Sequence, residues 1–195
     1  MIQRIIAAVL ACATLGLPGM GEAANKAYGP SQAKPNHNVE VQLEYLHHGY
    51  FEEREIDTYN VHVYQKFKQN GSVSWHKGLT VTRAVGYNND DGRHMDSNAV
   101  GLGPSLMARW EKPVSGKLSA SIDGTGSLMF YDKAHPAEGR AFGFLWRVGP
   151  RLTYAFDQKD SISVGWMFSH SSNGFKHNNP GYNTVGFDVG YNRSF

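Results

Sequence analysis

The 195-residue chain carries 19 Lys and Arg against 17 Asp and Glu, a net charge of +2, which is no polyanion-binding signature; no nucleic-acid module is present. Its single cysteine, Cys12, excludes a disulfide framework and, once removed with a leader, a thiol nucleophile. Hydrophobic residues make up 41%, yet no apolar run reaches the roughly 20 residues of a transmembrane helix, so this chain could cross a membrane only as strands.

Residues 1–24 read as a secretory signal peptide. Arg4 supplies the positive start, Ile5 to Leu17 the apolar run, Pro18 and Gly19 the break, and Gly21-Glu22-Ala23 the small-residue cleavage site. Val9-Leu10-Ala11-Cys12 is similar to a lipoprotein-processing box, but the apolar run before it is very short, so ordinary cleavage is favoured. Losing Arg4 and Glu22 together leaves the net charge unchanged. Residues 25–37, with Pro30 and Pro35 and no period, are expected to be a flexible periplasmic lead-in.

From residue 38 the chain alternates. The first strand, about 38–47, sets Val39, Val41, Leu43 and Tyr45 against Glu40, Gln42 and Glu44. After a charged loop over 48–57, a second strand (about 58–67) sets Tyr59, Val61 and Val63 against Asn60, His62 and Tyr64. It ends at Asn70-Gly71, a strong hairpin signal. The third, about 73–87, carries Trp75, Leu79, Val81 and Val85 opposite Ser74, His76, Thr80 and Thr82. A loop begins at Asn88; its Asn-Asn-Asp-Asp-Gly run has part of a calcium-loop composition but not its register, and an Asx turn is the simpler reading.

The fourth strand (about 98–110) has Val100, Leu102, Leu106 and Trp110 against Gly101, Gly103, Ser105 and Arg109. The fifth (about 117–131) has Leu118, Ile122, Leu128 and Phe130 against Ser119, Ser121, Asp123, Thr125 and Ser127. The sixth (about 140–156) sets Phe142, Phe144, Trp146, Val148 and Leu152 against Gly143, Leu145, Arg147 and Arg151. The turn 157–160 leads to the seventh, beginning at Ile162, and a loop over 173–182 precedes the eighth, with Val185, Phe187, Val189 and Tyr191 on one face.

Connections alternate short (68–72, 111–116, 157–160) and long (48–57, 88–97, 131–139, 173–182). Together with an apolar row and a polar row on each strand, this predicts an all-β, eight-stranded antiparallel up-and-down transmembrane barrel of the outer membrane, spanning 38–195. Aromatics near strand ends, such as Tyr45, Tyr87, Trp110 and Tyr154, would form the interfacial girdles, and a last strand ending in Phe195 resembles the assembly signal of such barrels. The competing reading is a soluble lipocalin-like barrel with an apolar inside; Arg147, Arg151 and the polar row of the fifth strand argue against it, because such groups rarely sit unpaired in a dry interior.

The seventh strand carries the candidate site. Ile162, Val164, Trp166 and Phe168 share a face, and the same parity reaches His170 and Ser172. Two residues apart on one strand face, their Cα atoms stand roughly 6–7 Å apart, so imidazole and hydroxyl can meet as base and nucleophile. Even strand number puts both termini in the periplasm and this pair at the extracellular end, facing outward at the outer leaflet.

His170-Ser171-Ser172-Asn173-Gly174, followed by Asn179-Pro180-Gly181 and the final strand, resembles the lipid A deacylase (PagL) family. The specific similarity covers about the last 30 residues. The resemblance implies an eight-stranded outer-membrane barrel that hydrolyses the 3-O-linked acyl chain of lipid A in lipopolysaccharide, with no cofactor or metal. It makes Ser172 the nucleophile, His170 the general base, and Asn173 with the Gly174 amide the oxyanion donors. Where the family carries Glu or Asp after Asn-Pro-Gly, this chain reads Tyr182-Asn183-Thr184, so Asn183, of outward parity, is expected to orient His170. An amide fixes a tautomer but stabilises imidazolium less than a carboxylate does. Lys176 and His177 are candidate contacts to lipid A phosphate.

The partner expected is lipid A, with no nucleic acid, and a homodimer stays open. The rival function is a non-catalytic structural or adhesive barrel that kept the motif and lost its acid. His37, His47, His48 and His94 show no ligand spacing on one face, so no metal site is assigned.

Overall fold

The structure, a computed structural model, describes residues 38–49, 54–89, 92–175 and 181–195. The expected leader and lead-in lie outside these residues, as do Lys176 and His177. Among the described residues nine strands are formed: β1 (Asn38–His47), β2 (Arg54–Asn70), β3 (Val73–Asn88), β4 (Met95–Asp96), β5 (Ala99–Ser115), β6 (Leu118–His135), β7 (Arg140–Ala155), β8 (Asp160–Ser172) and β9 (Tyr182–Ser194). Eight are long; β4 is a two-residue strand laid on the end of β3 inside the expected 88–97 loop.

Every long strand pairs antiparallel with its sequence neighbours, and β1 pairs with both β2 and β9, so the sheet closes on itself. The closure has a measurable stagger. A row of paired residues starting at Asn183 runs through His170, Trp146, Gly126, Leu106, Lys77, Gln65 and Val39 and returns to β9 at Arg193, ten residues from where it began. A shear of this size on eight strands inclines them by about 35–45° to the barrel axis and leaves an interior only wide enough for side chains.

The period-two pattern sorts the faces as expected, with the polar row inside. Large apolar residues face outward, Leu43 at 60% and Phe187 at 63% exposure among them, joined by Leu79, Leu102, Leu152 and Val164. An apolar surface this continuous is unstable in water and stable against lipid, and the polar interior rules out the lipocalin-like reading. Trp75, Trp110, Tyr154 and Tyr191 stand toward the short-turn rim, and Tyr45, Tyr59 and Tyr87 toward the long-loop rim.

Inside, charge is paired with charge. Arg109 donates to both oxygens of Glu40 at 2.8 and 2.9 Å and to Asp123 at 2.8 and 2.7 Å. Arg151 bridges Asp123 at 2.8 Å and Asp188 at 2.7 Å and reaches Ser163 at 2.7 Å. Arg147 pairs with Glu44, which also accepts from Asn60 at 2.7 Å and lies 3.3 Å from His62. These groups come from β1, β2, β5, β6, β7, β8 and β9, so the network ties opposite walls together.

The strands run further than the alternation alone indicated. β2 begins at Arg54 rather than near 58 and β6 continues to His135 rather than ending near 131, because neighbouring strands supply ladder partners beyond the apolar stretch: Arg54 opposite Asn88, His135 opposite Arg140. The short turns fall where expected but are tighter: β2 runs to Asn70 and β5 to Ser115, through most of the expected 68–72 and 111–116 turns. Gly71, at φ 58°, takes the left-handed position of the Asn-Gly hairpin. Asp157 accepts from the backbone N–H groups of Lys159 at 2.7 Å and Asp160 at 2.9 Å, and these bonds hold its carboxyl below the usual carboxylate range.

Replacing Arg151 by Leu leaves Asp188 and part of Asp123 as buried charge without compensation. Urea unfolding of the micelle-folded barrel is expected to show a loss of about 3–5 kcal/mol, the cost of removing one partner of a buried ion pair.

Candidate active site

β8 delivers His170 and Ser172 to the long-loop rim on the same face as Trp166 and Phe168, as the alternation requires; both are half-buried, while Ser169 and Ser171, on either side of His170, are buried on the inside. β9 pairs with β8 so that Asn183 stands directly opposite His170. The contact is made: His170 Nδ1 lies 2.7 Å from Asn183 Oδ1. An amide oxygen only accepts, so Nδ1 carries the proton and Nε2 is left with its lone pair, the form a general base needs.

Aromatic rings frame this pair. Trp146, paired with His170 across β7–β8, lies 5.6 Å from its ring at 31°, and Phe168 lies 5.5 Å from Trp146. Phe144 is paired with Ser172, and Phe130, Phe142, Phe144 and Phe175 follow one another at 4.9–5.2 Å. The polar pair therefore sits in an apolar, lipid-facing wall, where water competes little for its hydrogen bonds. Among the described residues there is no hydrogen bond between Ser172 Oγ and His170; they share a face and a height without being joined.

β8 ends at Ser172. Asn173 is completely buried at interior parity, and the chain then turns through Gly174 and Phe175, both left-handed at φ 63° and 67°. Gly174 is required on two counts: its φ, and a backbone so close to β7 that a Cβ would stand 2.6 Å from the Phe142 carbonyl. Arg140 donates to the Gly174 carbonyl at 3.3 Å and pins the turn.

Behind the site, inside the mouth, is a group that alternation did not reveal. His135 is fully buried; its Nδ1–H donates to the Ser97 carbonyl at 2.9 Å, and its Nε2 accepts from the Tyr182 hydroxyl at 2.8 Å. Tyr131 packs on its ring at 4.6 Å, and Tyr182 is paired with Ser171 across β8–β9. These side chains are buried together behind the end of β8. The available signal was Tyr182, an aromatic at inward parity beside Asn183. Asp188, the nearest carboxylate on β9, is buried on Arg151 and does not approach His170.

His47 and His48, scattered in the sequence reading, meet Asp57 at the same rim. The sequence reading missed that grouping because Asp57 belongs to another strand.

An apolar belt around a closed, sheared ring of eight strands with a charged interior defines an integral β-barrel of the outer membrane. The family model for lipid A 3-O-deacylase (PagL) matches residues 57–192, and the chain belongs to that family. No curated protein sequence matches the chain. Among solved structures, the outer membrane enzyme PagL aligns with a TM-score of 0.52 at 15% identity, covering 80% of this chain and 98% of that one. Neisserial surface protein A (NspA) aligns with a TM-score of 0.54 at 10% identity, covering 82% and 97%. Both are likenesses of fold.

Removing the Asn183 amide removes what fixes the imidazole. In ¹⁵N spectra of labelled protein in micelles, His170 is expected to be the Nδ1–H tautomer, and Asn183→Ala is expected to shift it toward Nε2–H.

Proposed function

We propose that the protein is an outer-membrane serine esterase that hydrolyses an ester-linked (3-O) acyl chain of lipid A in the outer leaflet. The observation that carries this reading is His170, held through Nδ1 by Asn183, with Ser172 on the same lipid-facing side of a family barrel. Membership of the deacylase family supports the substrate class.

In this reading Ser172 Oγ attacks the ester carbonyl carbon while its proton passes to His170 Nε2; as the bond from that carbon to the sugar oxygen breaks, the imidazolium returns the proton to the departing oxygen, which leaves as the sugar hydroxyl. Water hydrolyses the acyl-enzyme by the same route, releasing a fatty acid and restoring Ser172. The oxyanion is met by donors of the 173–174 turn, where backbone N–H groups serve better than the Asn173 side chain, which lies at interior parity. Lys176 and His177 are proposed contacts to lipid A phosphate. The ring ladder from Phe130 to Phe175 offers the acyl chain being cleaved an apolar wall.

A neutral third member predicts a slow enzyme. Asn183 orients the imidazole but gives no charge to the imidazolium formed in the transition state, so Asn183→Asp is expected to raise the rate about tenfold or more. Mass spectrometry of lipid A from Gram-negative cells expressing the protein is expected to show loss of one hydroxyacyl chain, absent with Ser172→Ala. Unchanged lipid A from correctly folded wild type and from Asn183→Asp would overturn the esterase reading and leave a non-catalytic barrel.

A further inference from the structure

β1 ends at His47, and the next pair beyond Leu46–Thr58 brings this residue level with Asp57 of β2. Both His47 Nδ1 and His48 Nδ1 lie 2.7 Å from the same atom, Asp57 Oδ1, which also accepts from the His48 backbone N–H at 3.2 Å. The second carboxylate oxygen is held separately by the Tyr45 hydroxyl, which donates to Oδ2 at 2.9 Å. The three donor atoms all lie within 4.8 Å of one another, and the side chains are half to three-quarters covered, with an open side toward the outer surface.

Two imidazole nitrogens and a carboxylate oxygen converging on one point form the donor set of zinc and similar borderline-soft divalent ions. Ligands at zinc distances of about 2.0–2.1 Å stand roughly 3.4 Å apart in a tetrahedron, so opening each 2.7 Å histidine–aspartate contact by roughly 0.7 Å brings those two spacings to the value an ion needs. A carboxylate whose other oxygen is fixed by a tyrosine hydroxyl has the outer support that metal ligands use.

We propose that His47, His48 and Asp57 form a binding site for a divalent transition-metal ion, with Tyr45 as the positioning residue and the remaining coordination open to water. The site is outward-facing and adjacent to the candidate esterase groups: His47 is paired with Val185, two residues along β9 from Asn183. It does not depend on the esterase reading, since among the described residues none of its ligands hydrogen-bonds to His170, Ser172 or Asn183.

The test is calorimetric titration of zinc chloride into the untagged chain folded in detergent micelles, with folding checked by heat-modifiable gel mobility. Wild type is expected to take up one ion per chain, His48→Ala and Asp57→Asn to lose measurable uptake, and Tyr45→Phe to bind about tenfold more weakly. His94→Ala, a ring at the same rim stacked on Tyr87, is expected to bind as wild type. Should Asp57→Asn fail to fold, His47→Ala, at a half-exposed ring, takes its place. No uptake by folded wild type, or undiminished uptake by the folded ligand variants, would overturn the proposal. Lipid A deacylation measured on the same variants reports on the esterase separately.

Discussion

In hydrocarbon a backbone N–H or C=O without a partner costs several kcal/mol, so a chain that crosses lipid as strands must close its sheet completely. Here closure is made by β1, which pairs with β2 on one side and β9 on the other. Everything else follows from that ring. Its ten-residue shear tilts the strands, and its closure forces each side chain to choose between lipid and a narrow lumen. Because the choice alternates strictly, one residue of slippage in β8 would turn His170 and Ser172 inward and bring Ser171 out.

The lumen is filled by ion pairs alongside buried apolar side chains such as Met107, Met129 and Met167. Arg109, Arg147 and Arg151 are enclosed by Glu40, Glu44, Asp123 and Asp188, each contact linking different strands. Such pairs are costly to bury and more costly to break, which makes the arrangement specific: few registers satisfy all of these charges at once. At the long-loop rim the filling changes to the buried Tyr131, His135 and Tyr182, which lie behind the strand ends that carry the candidate site.

On the outside the chemistry is sparse. A histidine whose Nδ1–H is spoken for by Asn183 has a basic Nε2, and the surrounding rings keep water scarce. What the site lacks is negative charge behind the imidazole: Asp188, at the opposite parity, is engaged by Arg151. In the proposed reading an oxygen-for-nitrogen replacement at position 183 would supply that charge, while Ser172 would still have to come within hydrogen-bond reach of His170.

The sequence by itself determined which residues face lipid and which face the lumen, because strand parity is local and repeats every two residues. It thereby determined that His170, Ser172 and Asn183 share the outer surface, and the eight long strands follow from alternation between turn signals. Only the tertiary structure decided what depends on register between strands far apart in sequence. Asn183 stands opposite His170 because of the β8–β9 pairing, the arginines find carboxylates on other walls because of the shear, and Asp57 meets His47 and His48 because β2 returns alongside β1. None of those meetings is written in any single strand. They arise from long-range hydrogen-bond registers, which set heights around the barrel that a period of two cannot encode.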